Sequence, residues 1–439
     1  MRSFGPACRI QLAPSIHLPH ALTWGPSADR DPWLWSNGPS ASVALRYDGK
    51  ASLAEVLRLA VADTPASPPG VSNTAPDQTA TGKEHFEVLD GLRGTAAMLV
   101  VLFHIQGITV MWDASKVILH HAVLAVDFFF LLSGFVIGYA YDDRWDRMSV
   151  RHFLTLRLIR LHPLVLFGVV LGFVSYLFDP FAGSAQAVPL GKLLGAFALG
   201  LLLLPAGPLP NRWSDTHPFN GPCWSLLQEY IGNVAYALLL RRLSARALLA
   251  IAIASGLGLV ACGLRLGSMD QGSAWDSLWM APVRLCFPFV MGLWLFRIRG
   301  RLPFFRLGYL SLTVVLIAVA AFPTLSNVGP VKLNGLYETG CIVVVFPLVI
   351  LAGSHSEAGR GMMGLCKFAG RMSYPIYMTH FPFLYVWMNF VANDHPTQEM
   401  LAVIGLALVP FLIAVAWASY TFWDEPIRAR LRIALGGHR

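Results

Sequence analysis

The chain has 439 residues, of which 55% are hydrophobic and only 13% charged, and its mean hydropathy is +0.55. Soluble domains carry about 25% charged residues, so the composition excludes an ordinary soluble globular protein and points to a polytopic membrane protein. The formal charge of +8 is no sign of nucleic-acid binding, because membrane proteins hold surplus Lys and Arg in their cytoplasmic loops.

Residues 1–84 differ from everything that follows. They are rich in Pro, Ser, Ala and Thr, and seven Lys/Arg balance seven Asp/Glu. Ala51 to Asp63 has the pattern of one short amphipathic helix, and no run suits a signal peptide. The composition predicts a disordered cytoplasmic extension without chemistry. No methionine lies between Met1 and Met98, so a shorter product would need a non-Met start codon.

Eleven apolar segments follow, at 92–112, 121–141, 163–179, 189–206, 221–240, 247–264, 277–296, 307–323, 336–353, 372–392 and 399–421. Each approaches the roughly 20 residues that span a bilayer. The connections 142–162, 241–246, 297–306 and 354–371, with the tail 424–439, hold 19 Lys and Arg; the other six connections hold four, Lys116, Arg212, Arg265 and Lys332. The positive-inside rule puts the first set in the cytoplasm. For 142–162 and 241–246 to share a side, the chain between them crosses an even number of times, yet it offers three segments. One of them, 163–179 or 189–206, is therefore not a full span; both are short and follow a proline, Pro163 or Pro189. The sequence thus predicts an all-α membrane helical bundle of about ten spans over residues 85–430. Both termini would be cytoplasmic, with a short tail at 431–439.

The first span sets two residues in line. Arg93 stands at its mouth and His104 lies 11 residues further in. At about 100° per residue, 11 steps bring both side chains onto one face, on the order of 16 Å apart. A histidine on an apolar face is either a hydrogen-bonded packing group or a proton carrier, and imidazole suits the second role because it titrates near neutral pH. Ionisable residues within lipid-embedded helices are costly and are functional candidates by default. In the second span, Asp127 enters early and needs a partner, for which Arg284 stands at similar depth. Ser133 lies near the middle beside Gly134 and Gly138, a grouping that also serves close helix packing. Arg144, Arg147 and Arg151 read as topology determinants. Arg157 and Arg160 share a helix face ahead of His162-Pro163, in a spacing that suits bidentate phosphate contacts. Glu229 lies inside the span 221–240, suited either to orienting a catalytic group or to helix packing. Tyr374, Tyr377 and His380 belong to the span 372–392; Tyr377 and His380 share a face. Glu338 sits near an outer end, and Glu425-Pro426 looks like a helix terminator. The cysteines Cys8, Cys223, Cys262, Cys286, Cys341 and Cys366 show no paired spacing, so neither a metal site nor a disulfide is expected.

Taken together, Asp90 to Gly94 (DGLRG), Phe103-His104, Asp127 to Phe135 (DFFFLLSGF), Arg157 to Arg160 (RLIR), Trp224 to Glu229 (WSLLQE), Ser373 to His380 (SYPIYMTH) and Glu425-Pro426 resemble, in order, the acyltransferase-3 family of integral membrane acyltransferases. The resemblance runs from about residue 86 to 430. It implies a ten-helix core and an enzyme that moves an acyl group, often acetyl, from acyl-CoA to a hydroxyl of a carbohydrate, cell-envelope glycan, glycolipid or secondary metabolite. On that basis His104 is the expected general base, with Glu229 assisting. Arg93, Arg157 and Arg160 are the expected contacts for the CoA phosphates, and Ser133, Tyr374 and His380 the expected further substrate contacts. No resident cofactor, metal or nucleic acid is expected. The partners are acyl-CoA, a hydroxyl-bearing acceptor and membrane lipids, and the location a bacterial inner membrane. The competing reading is a proton-coupled transporter or flippase, which buried His, Asp, Glu and Arg would also suit. Against it stand the absence of an internal repeat and the gathering of basic residues on one side.

Overall fold

The structure, a computed structural model, describes residues 85–182, 188–302 and 306–436. The expectation for residues 1–84 therefore lies outside the described residues. All regular structure among the described residues is helical. In chain order the helices are α1 Glu87–Thr109, α2 Ala125–Tyr141, α3 Val150–Leu177, α4 Leu190–Leu201, α5 Cys223–Leu238, α6 Ala245–Leu266 and α7 Met280–Ile298. After them come α8 Tyr309–Ala321, α9 Leu333–Gly340, α10 Phe346–Ser354, α11 Arg360–Thr379, α12 Phe381–Asp394, α13 Gln398–Ser419 and α14 Glu425–Gly436. One π turn, Cys341–Val345, joins α9 to α10 and another, Tyr420–Asp424, joins α13 to α14.

Local chemistry sets several of these boundaries. Ser149, Ser244 and Thr397 cap α3, α6 and α13 by accepting a backbone N–H with their hydroxyls, which satisfies a donor that the first turn leaves unpaired. Gly267, at φ 85°, closes α6 in the left-handed conformation that glycine adopts without a Cβ clash.

Seven helices are long and apolar enough to cross a membrane: Glu87–Thr109, Ala122–Tyr141, Val150–Leu177, Ala245–Leu266, Met280–Arg301, Leu333–Ser354 and Gln398–Leu435. The protein is an integral membrane protein. Two further apolar helices are shorter, α4 with 12 residues and α8 with 13. At about 1.5 Å per residue α4 reaches only about 18 Å, well short of a 30 Å hydrocarbon core. Of the two segments suspected of being partial, the short one is thus 189–206. The other, 163–179, is the second half of a 28-residue helix that also carries Arg157 and Arg160, with Pro163 inside it. The expected span 372–392 is divided at His380, where α11 ends and Pro382 opens α12.

The loops fall into two groups that hold each other. At one end, Arg297 donates to Asp142 (Nε to Oδ2, 2.6 Å) and to the carbonyls of Leu243 and Arg241, tying the α2–α3 loop to the α5–α6 loop. This is the end that carries the basic connections. At the other end, the His121 N–H donates to Ala320 (2.9 Å), Thr216 to Ser273 (2.9 Å) and the Trp275 indole to Ala206 (2.9 Å). These loops hold few cations. α1 runs between the two groups as the central helix, packed on α2, α8, α11, α12 and α13. In its apolar stretch 67% of residues are buried, against 28% for α6 and 17% for the helix beginning at Gln398, which marks those two as peripheral. Where α2 crosses α7 the backbones touch. A methyl on Gly134 would stand 2.0 Å from the Phe289 carbonyl oxygen, and one on Gly292 1.9 Å from that of Leu131. Gly134 is therefore a packing residue.

Candidate active site

His104 is half-buried on the inner face of α1, and its Nδ1 lies 2.8 Å from the Val100 carbonyl oxygen one turn earlier. A carbonyl only accepts, so Nδ1 carries the hydrogen and the neutral ring keeps its lone pair on Nε2. His380 repeats the arrangement: its Nδ1 donates to the Ile376 carbonyl (2.9 Å), and its Nε2 is buried without a partner. The two rings lie 5.8 Å apart, centroid to centroid, and Phe381 stands against both. Two helices that are remote in sequence thus present two imidazoles to one point, each with its tautomer set by the preceding turn.

His104 lines a cavity of about 180 Å³ whose other walls come from Val126, Trp224, Tyr377 and Phe381 and from the cation-poor loops that carry Trp112, Trp213, Asp215 and Asp270. Trp112 and Trp213 both line it and meet edge to face, centroids 6.3 Å apart, and Trp112 lies 6.4 Å from the His104 ring. Both tryptophans have left-handed backbones, φ 58° and 46°, a conformation that costs a non-glycine residue on the order of 1–2 kcal/mol and that gathers at functional sites. Trp112 fits only because residue 107 has no side chain; a methyl there would stand 2.3 Å from the indole. The loop carboxylates Asp215 and Asp270 also line this cavity. Burial pushes the Asp215 carboxyl up to about 7, partly countered by the Tyr385 hydroxyl that donates to Oδ2 at 2.6 Å.

A second polar group lies toward the basic end. Arg157 of α3 donates from Nη2 to Glu229 Oε1 (2.8 Å), and the Ser133 hydroxyl of α2 donates to the same oxygen (3.1 Å). Arg157 is buried and its Nε has no partner. Arg160 stands half-buried one turn further along α3. The link between the two groups is short. Ser225, one turn before Glu229 on α5, shares a 2.7 Å hydrogen bond with the Tyr377 hydroxyl, and Tyr377 lines the His104 cavity. One turn of α5, about 6 Å, separates that contact from the carboxylate.

The structure therefore brings His104 to His380, and Arg157 to Glu229 and Ser133, in two adjoining groups. Arg93 belongs to neither. Its Nε donates to Ser373 Oγ (2.8 Å) and its Nη2 to the Gly370 carbonyl (2.6 Å) and Asp90 (3.2 Å), which fastens α1 to α11. None of Arg93, Arg157 and Arg160 lines the His104 cavity. Tyr374 donates to the Leu161 carbonyl (2.6 Å) and so positions α3.

Asp127 and Arg284 pair as expected, both fully buried. Glu338, near the outer end of its span, is held by three donors. Its Oε1 accepts from His121 (2.9 Å) and Asn334 (3.0 Å), and its Oε2 from the Met269 N–H (2.5 Å). Asp215, Asp270, Trp112 and Trp213 were not singled out from the sequence at all. They sit in loops without periodicity, and the nearest sequence signal is the clustering of Trp with Asp at 112–113 and 213–215. Among the described residues, no group of three or more His, Cys, Asp or Glu is placed to hold a metal ion.

Comparison with known proteins agrees with the family resemblance. The profile described as "Acyltransferase domain" matches residues 86–421. "Acyltransferase MdmB" of Streptomyces mycarofaciens is 27% identical over 316 residues, 67% of this chain and 77% of the relative. A protein of Komagataeibacter xylinus, BcsY, provisionally named a membrane-bound transacylase, is 26% identical over 367 residues, 78% of this chain and 86% of the relative. "Protein 2 in picA locus" of Rhizobium radiobacter is 34% identical over 163 residues, 35% of this chain and 82% of that protein. No solved structure matches. With the domain matched over most of its length, this chain belongs to the acyltransferase-3 family and is an integral membrane acyltransferase.

Proposed function

We propose that the protein is an O-acyltransferase that moves an acyl group, acetyl foremost, from acyl-CoA to a hydroxyl of a carbohydrate or another cell-envelope or secondary-metabolite acceptor. The observation that carries the reading is the free Nε2 of His104, held on one tautomer and facing a cavity large enough for a small polar molecule. Relatives named as a transacylase and an acyltransferase support acyl transfer as the reaction class.

In the proposed reaction the acceptor hydroxyl oxygen attacks the thioester carbonyl while its proton passes to His104 Nε2. The tetrahedral intermediate collapses by breaking the C–S bond, and the imidazolium returns the proton to the departing CoA sulfur. The ester and free CoA leave, and the histidine is again neutral. Arg157 and Arg160 receive the CoA phosphates at the basic end, which faces the cytosol in this reading, while Glu229 holds Arg157 in place through the 2.8 Å contact. Arg93 acts from a distance, by fixing α1 and hence His104 against α11. The acceptor enters from the opposite end, through the tryptophan-bearing loops.

The test is CoA release by the purified full-length protein in detergent, with acetyl-CoA and a panel of sugars. His104→Ala should slow transfer by about 10²–10⁴-fold, the usual worth of a general base, with an unchanged melting temperature. Retention of most of the rate in a folded His104→Ala protein would remove the base. Passage of a substrate across proteoliposomes with no thioester consumed would favour a carrier instead.

A further inference from the structure

Attack of a hydroxyl on a thioester passes through a tetrahedral intermediate whose oxygen is negatively charged, and that oxygen needs a hydrogen-bond donor already in place. Among the described residues, no Lys or Arg lines the His104 cavity. The donor must therefore be a neutral O–H or N–H. Trp112, Trp213, Gln271 and Ser273 offer such groups from loops, Trp224 an indole from α5, and Tyr377 a phenol from α11. A phenol is the most acidic of these and the strongest donor.

Tyr377 also stands where the reaction would take place. It lies one turn of α11 ahead of His380 and Phe381, the two rings that stand against His104. Its ring is 6.0 Å from that of His380 and meets Phe129 edge to face at 5.6 Å, which holds its direction. Its hydroxyl oxygen is 2.7 Å from Ser225 Oγ, and Ser225 Oγ is 2.9 Å from the Pro222 carbonyl oxygen. A carbonyl only accepts, so at rest Ser225 gives its hydrogen to Pro222 and Tyr377 gives its hydrogen to Ser225. This chain can reverse by rotation of hydroxyl hydrogens alone. When the Ser225 hydrogen turns to the Tyr377 oxygen, the Tyr377 hydrogen is released. The Pro222 carbonyl keeps a donor, the Ser225 backbone N–H at 3.2 Å. Both settings leave every oxygen of the chain satisfied.

We propose that Tyr377 is a catalytic residue whose hydroxyl donates to the oxyanion of the tetrahedral intermediate, with Ser225 the positioning residue that donates to the Tyr377 oxygen while it does so. This rests on the reading of the His104 cavity as the site of acyl transfer. No proton changes owner at Tyr377. Its hydrogen turns toward the oxyanion as the acceptor oxygen bonds to the carbonyl carbon, and turns back when the C–S bond breaks and the carbonyl re-forms. A chain of hydroxyls polarises each member, so the donor is strongest when the charge is present, which is the interaction that lowers a barrier.

The test is steady-state CoA release by the full-length protein in detergent, with acetyl-CoA and a sugar that the wild type acetylates. Tyr377→Phe should lower kcat by about 10²–10³-fold, the usual worth of one oxyanion donor. Both KM values should stay within about threefold, as they do when only a transition-state contact is lost, and the melting temperature should not change. Ser225→Ala should lower kcat by about two- to tenfold, since Tyr377 keeps its own hydrogen. Fluorotyrosine in place of Tyr377 keeps the shape and makes the hydroxyl more acidic. It should raise kcat, which a packing role would not do, and it decides the matter if the phenylalanine protein does not fold. A folded Tyr377→Phe protein with kcat within about threefold of wild type, one that loses KM alone, or a fluorotyrosine protein no faster than wild type would each overturn the inference while the acyl-transfer reading stands. A wild-type protein that consumes no acetyl-CoA with any acceptor would overturn that reading, and this inference with it.

Discussion

Arg284 and Arg157 are both buried guanidiniums on membrane-crossing helices, and each meets one carboxylate, but the surroundings differ. Arg284 donates from Nε, Nη1 and Nη2, and both it and Asp127 have no exposed side-chain surface. Arg157 makes one 2.8 Å contact from Nη2 and leaves Nε without a partner; its carboxylate, Glu229, is 24% exposed. The first pair is satisfied within the protein and holds loops in place. The second leaves a guanidinium donor of Arg157 unsatisfied beside a partly exposed carboxylate, the donor that the proposed reading gives to a CoA phosphate.

Four substitutions sharpen or break this contrast. Arg284→Ala would leave Asp127 charged and buried without a partner, at a cost of about 3–5 kcal/mol. The expected result is loss of the folded peak in detergent size-exclusion chromatography, and a well-folded variant would contradict the closed-pair assignment.

Asp215 is an intermediate case, with one neutral donor and no ion pair. Its folded-state pKa of about 7 lies above the ordinary 3.8, so between those values the folded protein binds more protons than the unfolded one. Stability then falls as pH rises through that window and levels off above it. Asp215→Asn should remove that fall, on the order of 2–4 kcal/mol, in thermal denaturation followed against pH. An unaltered pH slope would contradict the assignment.

Arg157→Ala should raise the KM for acyl-CoA by the loss of one charge-assisted contact, about 1.5–3 kcal/mol or roughly 10–150-fold, with little change in melting temperature. If it unfolds the protein as Arg284→Ala does, the two pairs are equivalent and the contrast fails. Ser133→Ala removes a neutral donor to Glu229 and should cost about 1 kcal/mol or less, read in the same KM assay.

The sequence carried the framework because that framework is periodic. The 11-residue interval set Arg93 and His104 on one face of α1, and the asymmetry of Lys and Arg separated the two sets of loops. The parity of crossings led to the expectation that one segment between 142 and 246 is incomplete; in the structure α4 has 12 residues and α5 has 16, and neither is among the seven helices long and apolar enough to cross a membrane. Asp127 and Arg284 could be matched because each needed a partner at similar depth. The rest depends on contacts far apart in the chain. Nothing local shows that Arg93 is bound to Ser373, 280 residues away, or that His121 meets Glu338 across 217 residues. The cavity walls lay hidden for another reason: Trp112 and Trp213 occupy left-handed turns in loops, where no hydrophobic period operates. The break at His380 was obscured by the apolar run continuing through Pro382.

The central claim is that donor and acceptor reach His104 from opposite ends of the bundle. A cryo-EM structure of the full-length protein with a non-hydrolysable acyl-CoA thioether tests it directly. The account predicts the CoA phosphates beside Arg157 and Arg160 and the acyl carbonyl next to His104 Nε2. Phosphates bound among the loops that carry Trp112 and Trp213, or a carbonyl out of reach of that nitrogen, would contradict it.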